Sequence, residues 1–147
     1  MHEYGGGVYS VKNKIIYFTN WDDQRIHKIK DQRIIPITPK TDPVGSVRYA
    51  DLTVTPDGKN LICVMESHHE STVENEIVII PTDGSATPRT IIKGSDFFSS
   101  PRINDEGNKI AWISWQHPNM PFDSTELYIA DFTKCGDLSN QKKIAGG

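Results

Sequence analysis

The segment Tyr49-Ala50-Asp51-Leu52-Thr53-Val54-Thr55-Pro56-Asp57-Gly58 lies without a gap over Phe98-Ser99-Ser100-Pro101-Arg102-Ile103-Asn104-Asp105-Glu106-Gly107. Each opens on an aromatic residue followed by two small or polar ones, and each closes on a glycine suited to a tight hairpin turn. The apolar runs beyond them recur as well. Lys14-Ile15-Ile16-Tyr17-Phe18, Asn60-Leu61-Ile62-Cys63-Val64 and Lys109-Ile110-Ala111-Trp112-Ile113 start 46 and then 49 residues apart. A period of about 40–50 residues with four short strands per unit is the signature of propeller blades. Tyr4-Gly5-Gly6 takes the matching place in the first unit if its turn is one residue shorter. A twelve-stranded sandwich would explain short strands and turns, but not this self-similarity.

Punctuation by turn residues divides each unit into four strands. The first reads Gly7–Val11, Lys14–Thr19, Arg25–Lys30 and Arg33–Ile37. The second reads Ala50–Thr55, Asn60–Met65, Glu76–Pro81 and Arg89–Lys93. The third reads Ser99–Asn104, Lys109–Trp115, Glu126–Asp131 and a weaker Lys142–Ala145. The expected fold is all-β: three four-stranded antiparallel blades, at about 4–39, 49–93 and 97–146, forming one partial β-propeller over 1–147 that is an open arc. Asn60–Met65 is apolar nearly throughout, as a strand covered on both faces should be. An open arc leaves one face of each end blade without a partner. Ile15, Tyr17 and Phe18 at one end, and Ile110, Trp112 and Ile113 at the other, predict self-association of the chain.

Composition excludes several classes. With 147 residues, 36% hydrophobic and 24% charged, the chain reads as one globular domain. No apolar run approaches the roughly 20 residues of a membrane helix, so no membrane partner is expected. The N-terminal residues lack the basic and apolar regions of a signal peptide. Net charge is -3 and Lys/Arg runs never exceed two, which argues against nucleic acid. Cys63 sits in an apolar run and Cys135 in a turn, so a disulfide framework is not expected and a cytoplasmic setting is favoured.

In such meanders the first-to-second and third-to-fourth turns share one end of the blade. That end is minimal, with Asp57-Gly58, Asp83-Gly84 and Glu106-Gly107. The other end carries Asn20–Gln24, Glu66–Asn75 and Gln116–Thr125, and long loops gathered at one end mark a functional face. Its candidate substrate- or partner-facing residues are Trp21, Glu66, His68, His69, Trp115 and His117. Glu66, His68, His69 and Glu70 have metal-ligating atoms, but neighbours on an extended segment point apart and no second cluster completes a set. A solvated loop is the expectation, with no metal and no cofactor. Trp21, Trp112 and Trp115 are expected to pack between blades. His117 and Asp123 would be half of a triad, yet Gly-x-Ser-x-Gly is absent and no catalytic residue is assigned. Gly5-Gly6-Gly7 lacks the lysine and helix of a phosphate loop and suits close backbone approach near the axis. A propeller glycosidase would need acids converging on the axis, where the inner strands offer Asp51 alone.

His2-Glu3-Tyr4-Gly5-Gly6-Gly7, Trp21-Asp22-Asp23-Gln24-Arg25, Arg48-Tyr49-Ala50-Asp51-Leu52, Pro56-Asp57-Gly58-Lys59, Glu74-Asn75-Glu76 and Trp112 through Pro121 occur in this order. Together they resemble the propeller of prolyl oligopeptidase-family serine peptidases, in the acylaminoacyl- and dipeptidyl-peptidase-like branch. The resemblance implies an N-terminal propeller of more blades, and a C-terminal α/β-hydrolase domain as partner that carries a Ser-Asp-His triad. It also implies a lid that restricts access to peptide substrates and positions them. This chain would then be a non-catalytic segment. A stand-alone interaction scaffold is the alternative expectation.

Overall fold

Residues 7–147 are described by a computed structural model, so the expected opening at Tyr4-Gly5-Gly6 lies outside the described residues. Twelve strands follow one another: β1 Tyr9–Lys12, β2 Ile15–Thr19, β3 Ile26–Lys30, β4 Arg33–Pro36, β5 Val47–Val54, β6 Asn60–His68, β7 Val73–Pro81, β8 Arg89–Ile92, β9 Phe97–Ile103, β10 Lys109–Trp115, β11 Glu126–Phe132 and β12 Leu138–Gly146. They form three antiparallel four-stranded sheets, each in sequential order. The fold is a partial β-propeller. No helix among the described residues is long and apolar enough to cross a membrane.

The 49-residue offset survives in three dimensions. Tyr49 and Phe98 are both buried, as are Leu61 and Ile110, and Cys63 and Trp112. Gly58 and Gly107 hold φ of 74° and 72°, which hairpin turns demand of them. In the turn at Gly58, Asp57 Oδ1 accepts the Thr55 hydroxyl at 2.7 Å and the Lys59 N–H at 3.0 Å. These bonds hold the Asp57 carboxyl below its usual range. Their stabilisation is complete above the ordinary carboxylate pKa and fades as pH falls through the lowered folded value. Asp57→Ala should cost about 0.5–1 kcal/mol at neutral pH, solvent screening keeping it small. Urea unfolding at pH 7 and pH 2 should show wild type and variant converging in acid.

The middle sheet is covered on both sides. Ile62, Val64, Ile77 and Ile79 pack against Phe98, Ile110, Trp112 and Phe132 of the third sheet. Leu61, Cys63, Val78 and Ile80 pack against Tyr17, Ile26 and Ile37 of the first. This is why β6 reads as a continuous apolar run, with each buried side chain contributing roughly 1.5–3 kcal/mol. Burial pushes the Cys63 thiol up, leaving it a packing residue.

The inner strands are tied by one carboxylate. Asp51 Oδ1 accepts the Gly7 N–H at 2.7 Å, and Asp51 Oδ2 accepts the Ser100 N–H at 2.9 Å. Its own N–H donates to Gly7 O at 2.8 Å. Asp51 and Ser100 occupy equivalent places and share positive φ, 57° and 53°. The ladder shifts register at both places, between Ala50 and Thr53 and opposite the Ser99–Arg102 stretch. The bulge turns the peptide N–H groups toward the neighbouring blade.

Three expectations need correcting. Glu66–Asn75 is not a long loop: β6 and β7 stay paired through Glu66↔Asn75, Ser67↔Glu74 and His68↔Val73, leaving a short turn closed by His69 N–H to Thr72 O. Polar side chains had masked a strand whose backbone keeps its ladder. Gly7 precedes β1 rather than opening it. Finally, Tyr17, Ile110 and Trp112 face the middle sheet and are buried. The open face of the first sheet instead carries two cross-strand rows, Tyr9–Phe18–His27–Pro36 and Val11–Ile16–Ile29–Ile34. Strand alternation puts neighbours in sequence on opposite faces.

Candidate functional site

All three second-to-third-strand connections meet the blade crossings at one end. Trp21 shares a cleft with Val44 and Gly45 of the first crossing and with Arg48 of β5. His68 N–H donates to Ser46 O of that crossing at 2.7 Å. At the second crossing Asp96 Oδ2 accepts the His117 N–H at 2.9 Å, and Asp96 O accepts Asn75 Nδ2 at 2.8 Å. Trp21, His68 and His117 therefore lie on the same side of the arc.

A polar row crosses the middle sheet at this end. Arg48, Glu66 and Asn75 are directly opposed on β5, β6 and β7, one step beyond the apolar row Ala50–Val64–Ile77. Glu66 is 2% exposed. Its Oε1 hydrogen-bonds His68 Nε2 and lies 3.9 Å from Arg48 NH1. A buried carboxylate survives because it is paired in this way. The expectation of a solvated loop is thus corrected: Glu66 and His68 sit two apart on one strand face, where i and i+2 side chains meet. Asn75 is also buried, and its Oδ1 has no partner among the described residues.

The other candidates spread around this row. His69 Nε2 lies 3.8 Å from Glu74 Oε2, and both are exposed. Trp21 is 70% exposed, so it does not pack between blades as expected. Trp112 and Trp115 are buried, Trp112 stacking on Tyr128 at 5.6 Å and Trp115 on Phe97 at 5.3 Å. Trp115 is therefore a core residue beneath the face. Asp123 Oδ2 accepts the Met120 N–H at 3.0 Å, closing a turn of the long third loop. Groups of three or more metal-ligating side chains are absent among the described residues. Arg48 and Asn75 stand in motifs that carry the resemblance but not among the candidate face residues. Their signal was a polar residue at an inward position of a strand otherwise apolar there, and only the register reveals it.

Exposed large apolar side chains are segregated. Trp21, Val44, Val73, Met120 and Phe122 lie at the loop end, with Phe122 83% exposed. The others described lie on β1, β2, β4, β11 and β12, and none is in the opposite turns.

Neither a family model nor a curated protein matches the chain. Among solved structures, a puromycin-hydrolyzing peptidase of Mycobacterium tuberculosis matches with TM-score 0.90 and 33% identity, over 100% of this chain and 25% of that one. A puromycin hydrolase matches with TM-score 0.86 and 27% identity, over 99% and 25%. A putative TolB from Agrobacterium tumefaciens, TM-score 0.60 and 15% identity over 94% and 44%, shares the fold. The chain spans about a quarter of the length of the peptidases it matches.

Proposed function

Because this chain belongs to the prolyl oligopeptidase family of serine peptidases, as a stretch of its β-propeller, we propose that it is a non-catalytic lid segment that gates and positions peptides for a C-terminal α/β-hydrolase domain, in a cytoplasmic enzyme. The observation that carries this reading is the segregation of Trp21, Val44, Met120 and Phe122 to the loop end while the opposite turns stay polar. Apolar groups gathered at one end of a rigid scaffold mark a face that works against another surface. A lid restricts access to chains thin enough to pass, which protects folded proteins from an otherwise open nucleophile.

The test belongs in the peptidase that contains this segment. Replacing both Trp21 and Phe122 by serine should leave hydrolysis of a small activated ester within about twofold. It should lower kcat/KM for a tetrapeptide about tenfold, or ~1.4 kcal/mol of transition-state stabilisation. Equal changes for ester and tetrapeptide would rule the gating role out.

A further inference from the structure

Two clefts open at the loop end of the first crossing. One, of ≈ 720 Å³, runs past Ser46 and His68, and the other, of ≈ 300 Å³, lies beside Trp21. Val44, Gly45 and Arg48 line both, so the two form one groove with Arg48 at its middle. The guanidinium is held rather than loose: its Nε donates to Gly45 O at 3.2 Å, and its NH1 faces Glu66. A third of the Arg48 side chain, 37%, remains open, which leaves N–H donors for a ligand.

The groove holds charges of both signs, placed differently. Glu66 Oε1 serves both Arg48 and His68. Asp22 and Glu70 also line the groove, toward its two ends, but both are exposed. Their fields are screened by water, whereas that of Arg48 acts from a half-buried position. Trp21 and Val44 supply an apolar wall alongside.

We infer that this groove binds a carboxylate of a peptide, with Arg48 as the anchoring cation and Trp21 against the adjoining side chain. A planar guanidinium whose orientation is already fixed suits a carboxylate, because its donors match both oxygens. The inference rests on the reading of the loop face as one that handles peptides, and it adds which chemical group of the ligand this site holds.

Trp21 makes the test direct. Trp112 and Trp115 are buried, so added ligand should act on tryptophan emission through Trp21. The chain is titrated with N-acetyl-Phe-Ala as the free acid, with the same dipeptide as its amide, and with N-acetyl-aspartate amide, at constant ionic strength. The free acid should saturate with a Kd of about 1 mM or below, and the amide should bind at least about tenfold more weakly. Binding of the aspartate amide as tight as that of the free acid would assign the site to acidic side chains. Weaker binding would assign it to chain ends. Arg48→Gln should cost about tenfold in affinity for the acid, and Trp21→Phe should abolish the emission change while calorimetry still records binding. Equal affinity for acid and amide overturns the inference, as does a folded Arg48→Gln variant that binds like wild type. If Arg48→Gln does not fold, the comparison of acid with amide on the unaltered chain still decides. A chain that binds the acid while hydrolysis ignores the Trp21 and Phe122 changes would keep this site and lose the gating role.

Discussion

Asp51→Ala is expected to lower the unfolding free energy by about 3–5 kcal/mol, a large share of the roughly 5–15 kcal/mol available to a domain. The residue is 9% exposed, and its two oxygens each take one backbone N–H, from Gly7 on one side and Ser100 on the other. Alanine would leave both donors without their acceptor at a part-buried junction, and charge-assisted bonds of this kind are stronger than neutral ones. The backbone adds a further cost, because φ of 57° is tolerated by aspartate or asparagine better than by alanine. Asp51→Asn separates the two effects. It keeps the backbone preference and one acceptor, so it should cost about 1–2 kcal/mol. Urea denaturation of both variants decides the matter. A loss under about 1 kcal/mol for alanine would mean that apolar packing alone joins the inner strands.

The second large effect concerns the isolated chain. It is expected to self-associate, with a dimer of twice 16.5 kDa as the principal species. The open face of the first sheet presents Tyr9, Val11, Ile16 and Ile34 side by side, with Tyr9 65% exposed. On the third sheet the residues opposed on the outward side are Ala111↔Ile129 and Ile113↔Leu127. Both sets are apolar. Joining the first face of one copy to the third face of another, twice, buries all four and closes a six-bladed ring. Light scattering across a size-exclusion peak at micromolar concentration reads the mass. Ile16→Lys with Ile34→Lys should return the chain to monomer without unfolding it. A monodisperse wild-type monomer would refute the expectation.

Sequence reveals some features of this molecule and hides others for physical reasons. The repeat was legible because hairpin turns need particular residues, and Asp57-Gly58 and Glu106-Gly107 mark the same place twice. Turns without glycine were less visible. Asn13-Lys14 and Asp31-Gln32 hold φ of 50° and 63°, and 49° and 63°, with side chains instead of hydrogen atoms. The extent of β6 and β7 was hidden because Glu66, His68, Glu74 and Asn75 look like loop residues, whereas the backbone pairing that makes them strand does not depend on side-chain polarity. Which face is open could not be read from Ile15-Ile16-Tyr17-Phe18 either. When successive residues are all apolar, alternation carries no sign. The polar row of Arg48, Glu66 and Asn75 spans three strands, so its members are far apart in sequence and become neighbours only through register.

The two-sided cover of the middle sheet has a consequence for how the chain opens. Every residue of β4 is exposed, and β12 is exposed along nearly all of its length, whereas β6 and β7 are largely enclosed. Amide hydrogens on the outer strands can exchange through brief fraying that leaves the rest intact, while those at the centre of β6 must await separation of whole sheets. Unfolding then runs inward from the periphery, and the middle sheet that carries the Arg48 cluster is the last to lose its order. An insertion or a tag accepted by β4 would be expected to leave that cluster untouched.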